Sequence, residues 1–295
     1  MKQHPEKETR LTGELLLLLA GLAALGALAT NIILPAFPDM ARELGTSVKD
    51  LSATLGTFFV AFAIGQLFVG PLSDRFGRQW LVLSGLIVFV IGSAICILAA
   101  NLPQLVIGRI VQALGVCATS VLSRAIARDL FEGDALARTL SLIMVAMAAA
   151  PGFSPLLGGV LNNLLGWRAT FGVVAGLALL LGIHYLMRLG ETHRMERRMN
   201  LSVSGIAGSY GQLLRDRKFI APALSVSLVI GSLYMFFAMA PALLMEGFGF
   251  SPFGLALFFA STVFVVFGAG FMAPRVARRW GTVVARSEEH TSELQ

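Results

Sequence analysis

Charge is what this sequence has least of. Asp, Glu, Lys and Arg make up 14% of its 295 residues, where a soluble domain carries about 25%, so a water-facing surface of ordinary density cannot be built from it. Cysteine is nearly absent as well. Cys96 and Cys117 both lie in apolar runs, where a free thiol acts as a small hydrophobe and says little about redox compartment. No zinc-ligand spacing, no Ser-His-Asp set and no phosphate-cradling loop is present, which argues against an enzyme and against a bound metal or cofactor. Alternating strand patterns are missing too, and their absence excludes a closed membrane barrel. A sensor is expected to carry a soluble domain, and the sequence offers none.

What remains is apolar: 56% of residues are hydrophobic and the mean hydropathy is +0.77. A helix of roughly 20 apolar residues crosses ~30 Å of hydrocarbon, and runs of that length recur at 13 to 36, 50 to 72, 80 to 100, 103 to 125, 136 to 161, 169 to 189, 219 to 244 and 252 to 274. The fold class is therefore all-α, a polytopic transmembrane helix bundle. Pro103 and Pro252 stand where helices begin, a position that tolerates a missing N–H. Short connections such as Asn101-Leu102-Pro103 make neighbouring helices antiparallel.

Basic residues near spans are retained on the cytoplasmic side. Eighteen of the 23 Lys and Arg fall on one side of this arrangement and only Arg42, Lys49 and Arg168 on the other. The amino terminus, 1 to 12, and the long basic loop, 190 to 218, are accordingly read as cytoplasmic. Positive-inside loops account for the pI of about 9.9, so no nucleic-acid partner is needed. The amino terminus shows no short apolar segment followed by a small-residue cleavage site, and the first span is expected to stay as an anchor.

Four groups of residues stand out against this background. Gly70 to Arg78, GPLSDRFGR, place charges between two apolar runs. Gly70 and Gly77 permit tight backbone paths. Asp74 can accept hydrogen bonds from Arg75, Arg78 or a helix N-terminus, which makes the hairpin a candidate cytoplasmic gate, against the plainer reading of solvated positive-inside charges. Arg109 falls about a third of the way along the fourth span, where facing lipid costs several kcal/mol. It shares a helix face with Gln112 and Val116; a packing role against the carbonyls of a broken neighbouring helix is the alternative. Pro151 and Pro155 each remove a backbone hydrogen bond, and Gly158 and Gly159 leave room for a facing helix; ordinary transmembrane tolerance of proline and glycine is the bland alternative. Asn31 precedes the Ile-Ile-Leu-Pro run of the first span and cannot titrate.

The 190 to 218 loop separates six spans from those that follow, as in transporters built of two six-helix halves with weak internal repeats. Arg279-Trp280-Gly281 lies 204 positions beyond Arg75-Phe76-Gly77 (279 − 75 = 204) at an equivalent loop.

These motifs resemble the major facilitator superfamily, and within it the bicyclomycin- and chloramphenicol-resistance type of drug:proton antiporter, over residues 13 to 281. GPLSDRFGR resembles the superfamily's loop between spans two and three. Arg109 to Gly115, RIVQALG, is similar to its fourth-span arginine motif, and Pro151 to Gly159, PGFSPLLGG, to its fifth-span antiporter motif. The cytoplasmic segment Arg124-Ala-Ile-Ala-Arg128-Asp129 to Asp134 and Gly166-Trp167-Arg168 are similar to segments of the resistance subfamily. The resemblance implies that the Arg109 face lines an aqueous cavity and influences proton release, and that the proline kink is a seal against leakage. It implies a monomer in a bacterial inner membrane exporting small apolar or cationic drug-like substrates against protons; an uptake or export carrier for a specific metabolite is the alternative. Asn31 departs from the pattern, since the subfamily typically has an acidic residue there. Glu14, Glu246 and His184 are other titratable groups near span ends, His184 reading best as an interfacial side chain. If spans one, two, four, five, seven and eight line the cavity, Phe58, Phe59, Phe62, Tyr234, Met235, Phe236 and Met239 are candidate lining residues.

The expected organisation is a complete amino-terminal six-helix half at 13 to 189, the loop at 190 to 218, and a partial second half at 219 to 285 with two helices and the start of a third. Arg286 to Gln295, RSEEHTSELQ, is hydrophilic where a ninth span should begin, and is similar to a sequencing-library adapter read in frame. It is expected to be a read-through artefact, and a chain lacking the last four spans is not expected to transport.

Overall fold

The computed structural model describes residues 12–193 and 203–262. Arg279-Trp280-Gly281 and the hydrophilic carboxyl end lie outside the described residues, as does 263 to 274 of the eighth expected span.

The helices begin where the sequence supplies a side-chain acceptor for orphan N–H groups. Thr12 caps α1 (Gly13–Asn31), accepting from the Leu15 N–H. Ser47 and Asp50 form a reciprocal capping box at the start of α3 (Val48–Phe76). Asn101 caps α5 (Leu102–Leu130), with Pro103 in its first turn. Between α1 and α3 the first expected span differs from the continuous helix read at 13 to 36. Helix α1 ends at Asn31, a tight turn covers Leu34–Ala36, and α2 (Phe37–Leu44) follows. Proline at position 35 lacks the N–H that would have bonded back to Asn31, so the ladder stops there. Gly45, at φ 61°, ends α2 in the left-handed conformation that favours glycine.

The remaining spans are α4 (Arg78–Leu98), α6 (Gly133–Leu165) and α7 (Arg168–Arg188). Several helices outrun the hydropathy boundaries, because their charged last turns remain helical after leaving the apolar zone. Within the long loop, α8 covers Val203–Arg215, and the seventh expected span is α9 (Arg217–Pro241), followed by a wide turn over Ala242–Gly247. A short apolar helix, α10, covers Pro252–Thr262. Among the described residues there is no strand, and six helices are long and apolar enough to cross a membrane.

Helix α5 is the hub, packed against α4, α3 and α1, while α1 also packs on α6 and α4 on α7. The core runs through these contacts as one cluster from Leu15 to Tyr185, joined by Ala240, Leu255 and Phe259 of the later helices. Leu17, Leu67, Phe68, Ile87, Leu180 and Met187 are exposed apolar side chains on the outer faces, the inverse of a soluble protein and the surface that lipid covers.

Candidate functional site

At the hairpin end, α3 continues through Gly70 and Pro71 to Phe76, and the reversal into α4 is made by Gly77 alone, at φ 97°. The expectation that Gly70 opens a tight backbone path is therefore corrected. Gly70 is an ordinary helical residue with nothing within 4 Å of an added Cβ; only Gly77 occupies a conformation that side chains disfavour. Arg78, buried at the start of α4, gathers the charges. Its guanidinium donates to Asp74 at 2.7 Å, to Asp129 at 3.1 Å and to the Ser73 hydroxyl. Its backbone N–H donates to the Glu191 carboxylate at 2.9 Å. Thr192 also reaches Asp129, at 3.4 Å. The network thus ties α3, α4, the end of α5 and the segment after α7 together. Arg75 stands apart from it, exposed, with its guanidinium 5.2 Å from the Phe76 ring centroid. Arg124 faces α6 through Met147 Sδ at 3.5 Å, and Arg128 is exposed.

In the middle of the bundle, Arg109 and Gln112 are both 0% exposed. Three residues apart, they meet on one helix face. Arg109 Nη1 donates to the Gln112 side-chain oxygen at 2.8 Å and to Ala29 O at 3.1 Å. Gln112 in turn donates to the Ser93 hydroxyl on α4 at 2.8 Å, and Ser93 donates to Phe89 O. Ala29 lies in the last turn of α1, where carbonyls outrun helical donors, so the broken first helix and the buried arginine satisfy each other. The Phe58 ring covers the guanidinium face at 4.3 Å, within cation–π range. Phe62 stacks on Phe58 and Phe59 meets it edge-on, with ring centroids 6.2 and 6.1 Å away. An open, water-lined Arg109 face, as the resemblance implied, is not what this conformation has; α1 and Phe58 close over it. Arg109 Nε and Nη2 and Asn31 Oδ1 are buried with no hydrogen-bond partner among the described residues. The Asn31 amide nitrogen donates to Ala27 O at 2.7 Å, not to the arginine system.

On α6, Pro151 and Pro155 lie inside one unbroken helix. The two glycines after them differ. A Cβ at Gly158 would collide with the Ile32 carbonyl, whereas one at Gly159 would sit 3.8 Å from Pro35 in ordinary contact. Gly158 is thus the point where α6 and the break after α1 touch backbone to backbone. Among the candidate lining residues of the later helices, Met235, Phe236 and Met239 are exposed, and the Tyr234 side chain is outside the described residues.

Two arrangements escaped sequence reasoning. First, α4 and α5 meet along Gly85, Gly92, Gly108 and Gly115: a Cβ at Gly85 would sit 2.7 Å from Gly115 O, and one at Gly108 2.6 Å from Cys96 Sγ. The signal was present as pairs of glycines seven apart on adjacent spans, a spacing that keeps one face of a helix. Second, at the end opposite the hairpin, Arg168 donates to Ile97 O at 2.9 Å, to Ala99 O at 3.0 Å and to Glu43. Trp167 also donates to Glu43, at 2.6 Å, and Asn162 to Asp39. Glu43 and Asp39 belong to α2, which falls between the first two expected spans and was not predicted as a helix.

Comparison with known proteins accords with this architecture. A profile of the Major Facilitator Superfamily matches residues 19–286. The chain is 35% identical over 271 residues to a chloramphenicol resistance protein of Pseudomonas aeruginosa, covering 90% of this chain and 62% of that protein. It is 28% identical over 275 residues to multidrug resistance protein D of Escherichia coli, covering 92% and 68% respectively. An MFS-type transporter of Bacillus subtilis is 34% identical over 277 residues, covering 93% and 68%. The chain therefore spans 62% to 68% of the length of these relatives. Among solved structures, an inward-facing bacterial homolog of the lysosomal transporter Spinster superposes with a TM-score of 0.71 at 18% identity, over 91% of this chain and 62% of that one. A D-xylose-proton symporter superposes at 0.64 with 19% identity, over 90% and 69%; at such identities the likeness speaks for the fold alone. An integral membrane chain with this family match and these helices is a member of the major facilitator superfamily of transporters, and not an enzyme.

Proposed function

We propose that the protein to which this sequence belongs exports small drug-like molecules in exchange for protons across a bacterial inner membrane, as an antiporter of the bicyclomycin- and chloramphenicol-resistance type. The observation that carries the reading is Arg109. An arginine buried at membrane depth is costly and serves a function by default, and here it holds the end of the broken first helix while reaching Gln112 and, through Gln112, Ser93. Protonation-linked shifts of this connection would couple α1 to α5. The relatives named for chloramphenicol and multidrug resistance support drug-like cargo.

In this reading the amino terminus and the hairpin are cytoplasmic, and Asp74, Arg78 and Asp129 form a gate on that side, with Gly77 supplying the turn. Arg75, exposed, is available to a partner surface, and Arg124 and Arg128 complete a basic rim. Pro151, Pro155 and Gly158 seal α6 against α1, with Gly159 a bystander. The protein acts as a monomer.

Expression of the intact gene in a bacterium stripped of its own exporters is expected to raise the tolerated chloramphenicol concentration, and a protonophore is expected to abolish the protection. Arg109→Gln should lose it at normal membrane abundance. Absence of protection, or energy-dependent accumulation of a nutrient instead, would sink the export reading.

A further inference from the structure

We propose that the buried Arg109 site recognises the carboxylate of a small aromatic acid, so that the cargo class is anionic and not cationic. This deepens the export reading above and rests on it for the way the closed site opens.

The geometry of the guanidinium carries the argument. Both hydrogen bonds to Arg109 are made by Nη1, to Ala29 O and to Gln112. The other edge, Nε together with Nη2, is buried and has no hydrogen-bond partner among the described residues. That edge offers two parallel N–H groups, the fork that matches the two oxygens of a carboxylate. Leaving it empty in an apolar interior forfeits the hydration of a full charge. No ion pair to Arg109 occurs among the described residues. The sequence deepens the imbalance, because none of its 17 Asp and Glu falls inside an expected span except at an end. Asn31, two residues beyond the carbonyl that Arg109 holds, is neutral. Dipoles and the Phe58 ring offset part of the charge, but no carboxylate among the described residues neutralises it, so the site repels a cation and favours an anion.

The surroundings specify what bears that anion. The Phe58 ring lies over the guanidinium carbon at 4.3 Å, with Phe62 stacked on it and Phe59 edge-on. A flat ring carrying one carboxylate can exchange with Phe58 over the cation or stack within the aromatic group while its oxygens take the free edge. Since Arg109 is fully shielded here, access requires that α3 and the last turn of α1 part, which is the kind of rocking that alternating access supplies.

The test uses two probes that share a ring and differ in the charged group: salicylate and 2-hydroxybenzyl alcohol. On the purified full-length protein, calorimetric titration is expected to show salicylate binding at least about tenfold more tightly than the alcohol, the worth of a charge-assisted bidentate contact. Equal affinities, or binding of neither probe, would overturn the proposal. Arg109→Gln should remove the preference; because that variant can fail to fold, Asn31→Asp provides a second arm. Its carboxylate introduces an anion two residues beyond Ala29, whose carbonyl Arg109 holds, and salicylate affinity should fall by about tenfold or more with the melting temperature preserved. Wild-type salicylate affinity in Asn31→Asp would equally overturn the proposal. Export assays separate the two readings. Chloramphenicol or ethidium export without salicylate binding overturns the cargo class and leaves the export reading standing; salicylate binding without export of any compound upholds the site and removes the export reading.

Discussion

Arg78 and Arg109 show how differently two arginines can be held in one bundle. Arg78 faces two carboxylates, Asp74 and Asp129, and a hydroxyl, so its charge is compensated near the bundle end. Among the described residues, Arg109 is compensated only by dipoles and an aromatic face. Replacing Arg78 by Ala leaves the Asp129 carboxylate, whose side chain is 18% exposed, without its cation. The expected cost is about 1–3 kcal/mol, read as a lower melting temperature in detergent, and Asp129→Asn should cost less once Arg78 is already gone. Independent, additive losses in that double-mutant cycle would contradict the network. Gly158 makes a sharper case. Gly158→Ala drives a methyl group into the Ile32 carbonyl and should destabilise by about 1–3 kcal/mol or more as α6 is pushed off α1. Gly159→Ala, in ordinary contact with Pro35, should melt like the parent protein.

At the scale of elements, the α4 and α5 pair is held by close backbone approach. Without a hydrophobic drive between helices in lipid, small residues at the contact let van der Waals packing act. Gly115→Ala places its Cβ against Phe89 backbone and Gly85 O and is expected to lower thermal stability. Gly56→Ala on α3, exposed and with nothing within 4 Å, should be neutral or slightly stabilising because alanine loses less entropy in a helix. A melting series in which both alanines behaved alike would refute the close-packing account. These elements also mark what the sequence discloses. Hydropathy located the long spans within a few residues because roughly 20 apolar residues in lipid have one solution. It missed the break at Asn31 because Ile32 to Ala36 continue the apolar run, and it missed α2 because the polar residues of Phe37–Leu44 look like a loop. The pairing of Arg109 with Gln112 was legible from helical spacing; its bond to Ala29, 80 residues away in sequence, depended on which helix lies opposite, and spacing cannot supply that.

For the molecule as a whole, polar side chains tie the helices together at both ends of an apolar bundle, and the two ends are built from different materials. The hairpin end depends on carboxylate and guanidinium pairs around Arg78, with Glu14 and Arg188 adding an exposed pair at 3.1 Å. The opposite end depends on Arg168, which completes the carbonyls that α4 leaves unpaired at its C-terminus, Ile97 O and Ala99 O, while also holding Glu43 of α2. Its guanidinium lies 4.1 Å from the Trp167 ring centroid, so the planar group is fixed on one face and bonded along its edge. Lysine cannot reproduce this, since a point charge on a flexible stem offers no fork and stacks poorly. Arg168→Lys is therefore expected to destabilise nearly as much as Arg168→Ala, by about 1–2 kcal/mol for lost bonds to backbone acceptors. Arg42 supplies the control, because it sits at the same end but among the described residues bonds only to Asp39 on its own helix, with its side chain 79% exposed. Arg42→Ala should leave the melting temperature unchanged, as surface pairs of this kind contribute little. A lysine at 168 that restored full stability would mean that charge alone closes this end, and the clamp across α2, α4 and α7 would have to be abandoned.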